Sequence, residues 1–212
     1  MPRHAEYDRD QVVAAATAVF WERGYSQTSI GDLVTATGLQ PGSLYAAFGN
    51  KKGLFLEVID QYNQAFISKI HALRRKHGEA LPKIRGLLQQ IADEAAQGGA
   101  DRGCLTVNAL LEMSQHDEDI ADRLQTYNAR LRKAFAWLVK DAQAEGDVPG
   151  ARNPNEQAAF VINNIWGMRV MCKSRPDQAS LEAIVAGVLV ALQSEPAKRG
   201  SIRRMCLAAV NH

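Results

Sequence analysis

From residue 11 to residue 193 apolar side chains recur at intervals of three and four, with almost no stretch that alternates at every second position. The pattern predicts an all-α chain of about nine helices. The first follows Asp8, which with Gln11 has the spacing of a capping box; it buries Val12, Ala16, Val19 and Phe20 and stops at Gly24. The second is short, capped by Thr28 or Ser29, striped by Ile30, Leu33 and Val34, and ended by Gly38. The third opens at Pro41, a residue suited to a first helical position, and turns Leu44 and Phe48 inward. Asn50 caps a fourth helix running from Lys51 to about His77, which at about 1.5 Å per residue would span roughly 40 Å.

Beyond Gly78 the helices lengthen. A fifth is expected from Leu81 to about Gln97, closed by Gly98 and Gly99, and a sixth from about Cys104 to Ser114. The seventh follows the acidic run HDEDI, a start matched to the helix dipole, and carries Ile120, Leu124, Tyr127, Leu131, Phe135 and Leu138 to a stop near Gly146. The eighth begins at Asn153 with Pro154 first and Glu156 in capping-box position, striped by Ala158, Val161, Ile162, Ile165 and Trp166. The ninth, with Leu181, Ile184, Val185, Val188, Leu189 and Leu192, has the most regular stripe. The expected organisation is a three-helix unit over 1–53, a larger helical unit over 54–195, and a tail, 196–212, without clear period, read as poorly ordered or as a small appended turn.

Composition changes this picture little. In 212 residues, 46% are hydrophobic and 23% charged, which is an ordinary globular balance. A net charge of +2 is too mild to point to nucleic acid, so any such argument must rest on where the charges sit. Cys104, Cys172 and Cys206 have neither disulfide nor zinc spacing, and no cofactor motif or metal-ligand set is expected. The N-terminus MPRHAEYDRDQ has no apolar signal core and no run of about 18 apolar residues follows, so a cytoplasmic protein without a membrane span is expected.

The candidate chemistry lies in TSIGDLVTATGLQPGSLYAAFGNKKGLF, residues 28–55. Two short helices joined through a glycine turn are a helix-turn-helix, whose second helix can enter a DNA major groove. With Leu44 and Phe48 inward, that helix presents Gln40, Pro41, Gly42, Ser43, Tyr45 and Ala46, mostly small, so its backbone could approach base edges. Lys51 and Lys52 stand at a helix N-terminus, where positive charge costs roughly a few tenths of a kcal/mol unless an anion such as a phosphate is near. The competing reading is a structural hairpin with solvated lysines.

The stretch AVFWERGYSQTSIGDLVTATGLQPGSLYAAFGNKKGLF, positions 18–55, resembles the TetR family of transcriptional repressors. The resemblance implies a three-helix DNA-binding domain, a long connecting fourth helix, and a ligand-binding and dimerisation domain. By position, Gln40, Pro41, Gly42 and Ser43 would face bases, while Thr28, Ser29, Tyr45, Lys51 and, more weakly, Lys52 would contact phosphates. Gly42 offers no side-chain donor, so base readout would lean on its neighbours and on DNA shape. The implied homodimer forms through helices eight and nine, with Ala158, Val161, Ile162, Ile165, Leu181, Val185, Val188, Leu189 and Leu192 as the expected contact. The implied partners are a palindromic double-stranded operator and a small-molecule effector.

Large side chains that a helical bundle can leave incompletely packed are the pocket candidates: Tyr62, Phe66, Met113, Phe135, Trp137, Trp166 and Met171, with ordinary core as the competing role. Cys104 in DRGCLTVNAL stands near a helix start, with Arg102 close by, and the segment looks like a Gly-Cys-Leu stretch of some TetR subgroups, a few of them electrophile or redox responsive. Release by modification of Cys104 is therefore an alternative to release by ligand. An enzyme is not expected, for no Gly-x-Ser-x-Gly elbow, phosphate loop or His-Glu-x-x-His motif is present, and His71 and His77 fall on different sides of one helix. A protein-interaction module using the helix-turn-helix only as scaffold is the third class.

Overall fold

Asp8 starts the first helix by accepting the N–H groups of Asp10 and Gln11, at 2.9 and 3.3 Å, and comparable local signals start most of the others. The computed structural model describes residues 7–97 and 102–195. Among these are nine α-helices and no strand: α1 (Arg9–Arg23), α2 (Ile30–Thr37), α3 (Pro41–Phe48), α4 (Lys51–Arg75), α5 (Ala80–Ala96), α6 (Leu105–Met113), α7 (Glu118–Glu145), α8 (Pro154–Met171) and α9 (Gln178–Gln193). A 3-10 turn over Cys172–Ser174 separates the last two. Asn50 caps α4 through the Gly53 N–H, Asp117 caps α7 through that of Ile120, and Asn153 caps α8 through that of Asn155. The tail 196–212 and the closing glycines Gly98 and Gly99 lie outside the described residues.

Two hydrophobic cores divide the chain. The smaller gathers Val12, Val13, Ala16 and Phe20 of α1, Leu33 of α2, and Leu44 and Phe48 of α3. Leu54, Phe55, Val58 and Ile59 of α4 belong to it, as do Leu105, Ala109 and Met113 of α6 and Ile120 and Leu124 of α7. A cut after residue 53 therefore falls in the first turn of α4, ahead of a half-helix that packs with α1 to α3. The larger core takes Ile67 and Ile70 from the far half of α4, then α5, most of α7, α8 and α9. Thus α4 and α7 run through both cores, and α6 lies between them.

The stripes of α8 and α9 close this larger core from within. Ala158, Val161, Ile162, Ile165, Leu181, Val185, Val188, Leu189 and Leu192 are each at most 5% exposed in the single chain, so the dimer contact expected of them is corrected. Exposing one such Val, Leu or Ile to a partner would first forgo about 1.5–3 kcal/mol of burial within its own chain. Regular periodicity marks a buried face and does not say against what it is buried. The face that α8 and α9 leave open carries Phe160, Val170 and Val190, 43%, 48% and 65% exposed, with Gly167, Ala183, Ala186 and Gly187.

Candidate nucleic-acid interface and neighbouring cavity

The α2–turn–α3 unit is fixed by local bonds. The Ser29 Oγ accepts the Asp32 N–H at 3.1 Å while Asp32 Oδ2 accepts the Ser29 N–H at 2.9 Å, a reciprocal capping box. These Ser29 bonds, with Arg23 at 2.5 Å, hold the Asp32 carboxyl below its ordinary range. Gly38 ends α2 at φ 70°, a left-handed conformation that a side chain would strain. Pro41 then opens α3, Leu44 and Phe48 point into the smaller core, and Gln40, Pro41, Gly42, Tyr45 and Ala46 stand exposed, with Ser43 half-buried.

Three expected phosphate contacts have their polar atoms engaged inside the fold. Thr28 is 1% exposed and donates its hydroxyl to the Gly24 carbonyl at 2.6 Å. Lys51 donates to the carbonyls of Tyr25 and Thr28, both at 2.9 Å, with its ammonium 4.3 Å from the Tyr25 ring centre. Lys52 pairs with Asp119 at 2.5 Å and Asp117 at 3.3 Å, and these bonds raise its pKa. The two lysines at the start of α4 are thus relieved by the oxygen ends of two carbonyl dipoles, for Lys51, and by the acidic start of α7, for Lys52. In the free chain these three side chains are held within the fold rather than open to a phosphate, and the exposed hydroxyl-bearing residues of the unit are Ser29, Thr35 and Tyr45.

Behind this unit lies a cavity of about 290 Å³ lined by α4, α6, α7 and α8. Of the expected pocket residues, Tyr62, Phe66, Cys104 and Trp166 line it. The other four do not. Phe135 is fully buried in the larger core and Met113 belongs to the smaller one. Trp137 faces away, beside His71, Arg74 and Lys133, and lines an open basic groove along α7 with Arg132, Lys133 and Lys140. Met171 is half-buried at the end of α8 and is not part of the wall. Sequence reasoning missed Ala65, Lys69, Thr106, Tyr127, Leu131 and Arg169, with Ile165 assigned elsewhere. Arg169 was the findable one, because it stands three and four residues beyond Trp166 and Ile165, continuing their stripe as a lone cation.

The cavity is electrostatically one-sided. Arg169 bonds Glu94 at 2.7 Å; burial opposes its charge, but Glu94 outweighs burial and leaves its pKa raised. Burial, reinforced by Cys104, pushes the Tyr62 hydroxyl far above its ordinary range, and burial does the same to Tyr127. Both therefore remain neutral donors at any physiological pH. Tyr62 lies 3.8 Å from the Cys104 Sγ. Thr106 donates to the Asn63 Oδ1 at 2.5 Å, while Asn63 Nδ2, in a side chain only 4% exposed, has no partner. Arg169 shares the cavity wall with Cys104, whereas Arg102, expected beside the thiol, is exposed and is not part of that wall.

Helix α6 joins cavity to interface. At its start, the carbonyl of Gly103 accepts the Trp21 indole N–H at 2.9 Å, and the Trp21 ring meets Tyr62 edge-on at 5.3 Å. At its other end, Glu112 accepts the N–H groups of Tyr25 and Ser26 at 3.0 and 2.7 Å. Burial pushes the Glu112 carboxyl up, but those N–H bonds and the nearby Lys51 charge outweigh it and leave it low. Gly24 is required there, since it has φ 79° and a Cβ on it would stand 2.8 Å from Glu112 Oε2. Among the described residues no cluster of three His, Cys, Asp or Glu is placed to hold a metal ion, and no helix is long and apolar enough to cross a membrane.

Residues 12–58 match the family model of bacterial regulatory proteins, tetR family, and residues 80–188 match the model of the tetracyclin repressor-like C-terminal domain. The HTH-type transcriptional repressor ComR of Escherichia coli (strain K12) is 31% identical over 195 residues, 91% of each chain. A cysteine mutant of the TetR family transcriptional regulator CifR, solved in complex with 26bp double-strand operator DNA, superimposes with a TM-score of 0.78 at 29% identity, covering 90% of this chain and all of that one. The reduced form of E. coli NemR shares the fold, with a TM-score of 0.79 at 20% identity over 90% of this chain and 98% of that one.

Proposed function

The chain belongs to the TetR family of bacterial transcriptional regulators, and from that premise we propose that it is a homodimeric repressor of a palindromic operator, released when a small molecule fills the cavity. The observation that carries this reading is α6, one helix whose start forms the cavity wall and whose end holds the α1–α2 turn through Glu112. In a dimer the two α3 helices must reach major grooves about 34–36 Å apart, so a small shift of α6 against α1 and α4 would break the match. The open face of α8 and α9, with Phe160, Val170 and Val190 among small residues, is the dimer contact. The DNA partner of CifR supports assigning the exposed face of α3 to the same use here.

The test is a titration of the protein against the DNA upstream of its own gene and a scrambled duplex at several salt concentrations, with sedimentation to give the oligomer. A regulator of this kind binds the upstream DNA preferentially, as a dimer, with log affinity falling by about 0.9 per phosphate contact against log salt. Absence of binding to any duplex at low salt would favour a protein-interaction module instead. A second reading, release by electrophilic or oxidative modification of Cys104, is favoured by its place on the cavity wall beside Tyr62. Under it, Cys104→Ser abolishes the electrophile response and leaves DNA binding intact, and an unchanged response rules it out.

A further inference from the structure

We propose that the cavity takes a small organic anion, a carboxylate on an apolar or aromatic body, with the carboxylate received by Arg169. The inference rests on the cavity being the effector site. Among the described residues the charged members of its wall are Arg169 and Lys69, and no Asp or Glu lines it. Glu94, which pairs with Arg169, has a side chain 42% exposed, against 19% for Arg169. The carboxylate therefore meets Arg169 from the solvent side, and water already weakens that pair. The guanidinium carries five N–H donors in a planar fork suited to bidentate carboxylate binding, and Glu94 engages it through one nitrogen.

Two further features carry the same sign. The first turn of α6 begins at the cavity with no side-chain cap from Cys104, so among the described residues its N–H groups stand uncapped at the positive end of the helix dipole. Behind Thr106, the buried Asn63 amide has a donor without a partner. Tyr62 and Tyr127, held neutral, add hydroxyls. The rest of the wall, Phe66, Trp166, Leu131 and Ile165, is apolar and suits a ring or short chain, and about 290 Å³ sets a small ligand. A neutral ligand offers these donors at most a single uncharged acceptor, whereas a carboxylate accepts from several at once with charge-assisted bonds.

The experiment uses benzoate and cinnamate with their neutral counterparts benzamide and cinnamamide. Each is titrated calorimetrically into the full chain, and its effect on the DNA complex is followed by anisotropy, for wild type, Arg169→Met and Arg169→Lys. The expected result is that a carboxylate binds wild type at least about tenfold tighter than its amide, a difference of about 1.4 kcal/mol. Arg169→Met removes that preference and Arg169→Lys keeps part of it. Equal affinity for acid and amide, an acid preference that survives Arg169→Met, or no binding of either acid overturns the proposal. If the Met variant does not fold, the acid–amide comparison in wild type and the Lys variant decides. Amides that bind and release DNA where acids do not would sink the anion inference and leave the effector cavity standing. Acids that bind through Arg169 without releasing DNA would keep the anion site and remove the effector reading.

Discussion

On α3 the outward positions are Gln40, Pro41, Gly42 and Ala46 with a single aromatic, Tyr45, while the cavity wall is made almost wholly of large side chains from four helices. The first surface is defined by what has been left off, so that a backbone can be approached; the second is defined by side chains that converge without filling the space between them. A surface of omission can be substituted at little cost to the fold but tolerates no change in shape or charge toward its partner. A converging cavity behaves the opposite way. The two are joined by α6, so a substitution at either place should keep its effect local unless it touches Trp21, Gly103 or Glu112.

The largest expected effect is Gly42→Glu. A Cβ at Gly42 meets nothing within 4 Å, and a carboxylate in the first turn of α3 suits the helix dipole, so the melting temperature should stay level or rise slightly. Against DNA phosphates the same carboxylate is a like charge, whose cost of several kcal/mol corresponds to a loss of about 100-fold or more in operator affinity. Anisotropy and thermal melting of one preparation check both halves. A stability loss comparable to the binding loss would break the contrast between the two surfaces.

Next in size is Glu112→Gln, which keeps the shape at the junction and removes the charge. Two charge-assisted N–H bonds weaken, and with solvent screening the expected loss is about 1 kcal/mol, or about 2–4 °C in melting temperature for a chain of this length. The sign with pH follows from the lowered pKa of Glu112: its contribution is complete above the ordinary carboxylate value and is lost as pH falls through the lower folded value. The gap between wild type and variant should therefore be full at neutral pH and close as the solution becomes acidic. A gap that is constant across that range would mean that the carboxylate charge is not what holds the α1–α2 turn.

How much of this could be read in the sequence depends on how local each cause is. Ser29, Asn50, Asp117 and Asn153 announce helix starts because a cap is a bond to an N–H two or three residues away, and Pro41 does so because its fixed φ and missing N–H suit a first helical position. Periodicity likewise gave the buried faces of α8 and α9, and the resemblance assigned them to a partner, an assignment periodicity could not check because it reports burial and not the identity of the neighbour. The cavity required contacts over distances such as Trp21 to Gly103 and Glu94 to Arg169, which no pattern within a window of residues contains. Lys51 and Lys52 misled for the same reason. Their excess charge at a helix start was legible, but the carbonyls of Tyr25 and Thr28 and the carboxylates of Asp117 and Asp119 that answer it lie 23 or more residues away.

The smallest expected effect sharpens that last point. If Lys52 is held by Asp117 and Asp119, as its 2.5 Å and 3.3 Å pairs indicate, then Lys52→Gln removes no phosphate contact and the slope of log affinity against log salt should be unchanged. If Lys52 instead leaves the acidic start of α7 to reach a phosphate on binding, the slope falls by about 0.9 and the affinity drops most at low salt. The double replacement with Asp119→Asn separates the two cases further. Freeing Lys52 from its shorter partner should increase DNA affinity only if the ammonium can reach the backbone, because an ion pair that must open before binding opposes the contact it releases. An affinity that neither variant moves places Lys52 with Thr28 and Lys51, as part of the frame that holds α3 in position rather than of the surface that α3 presents.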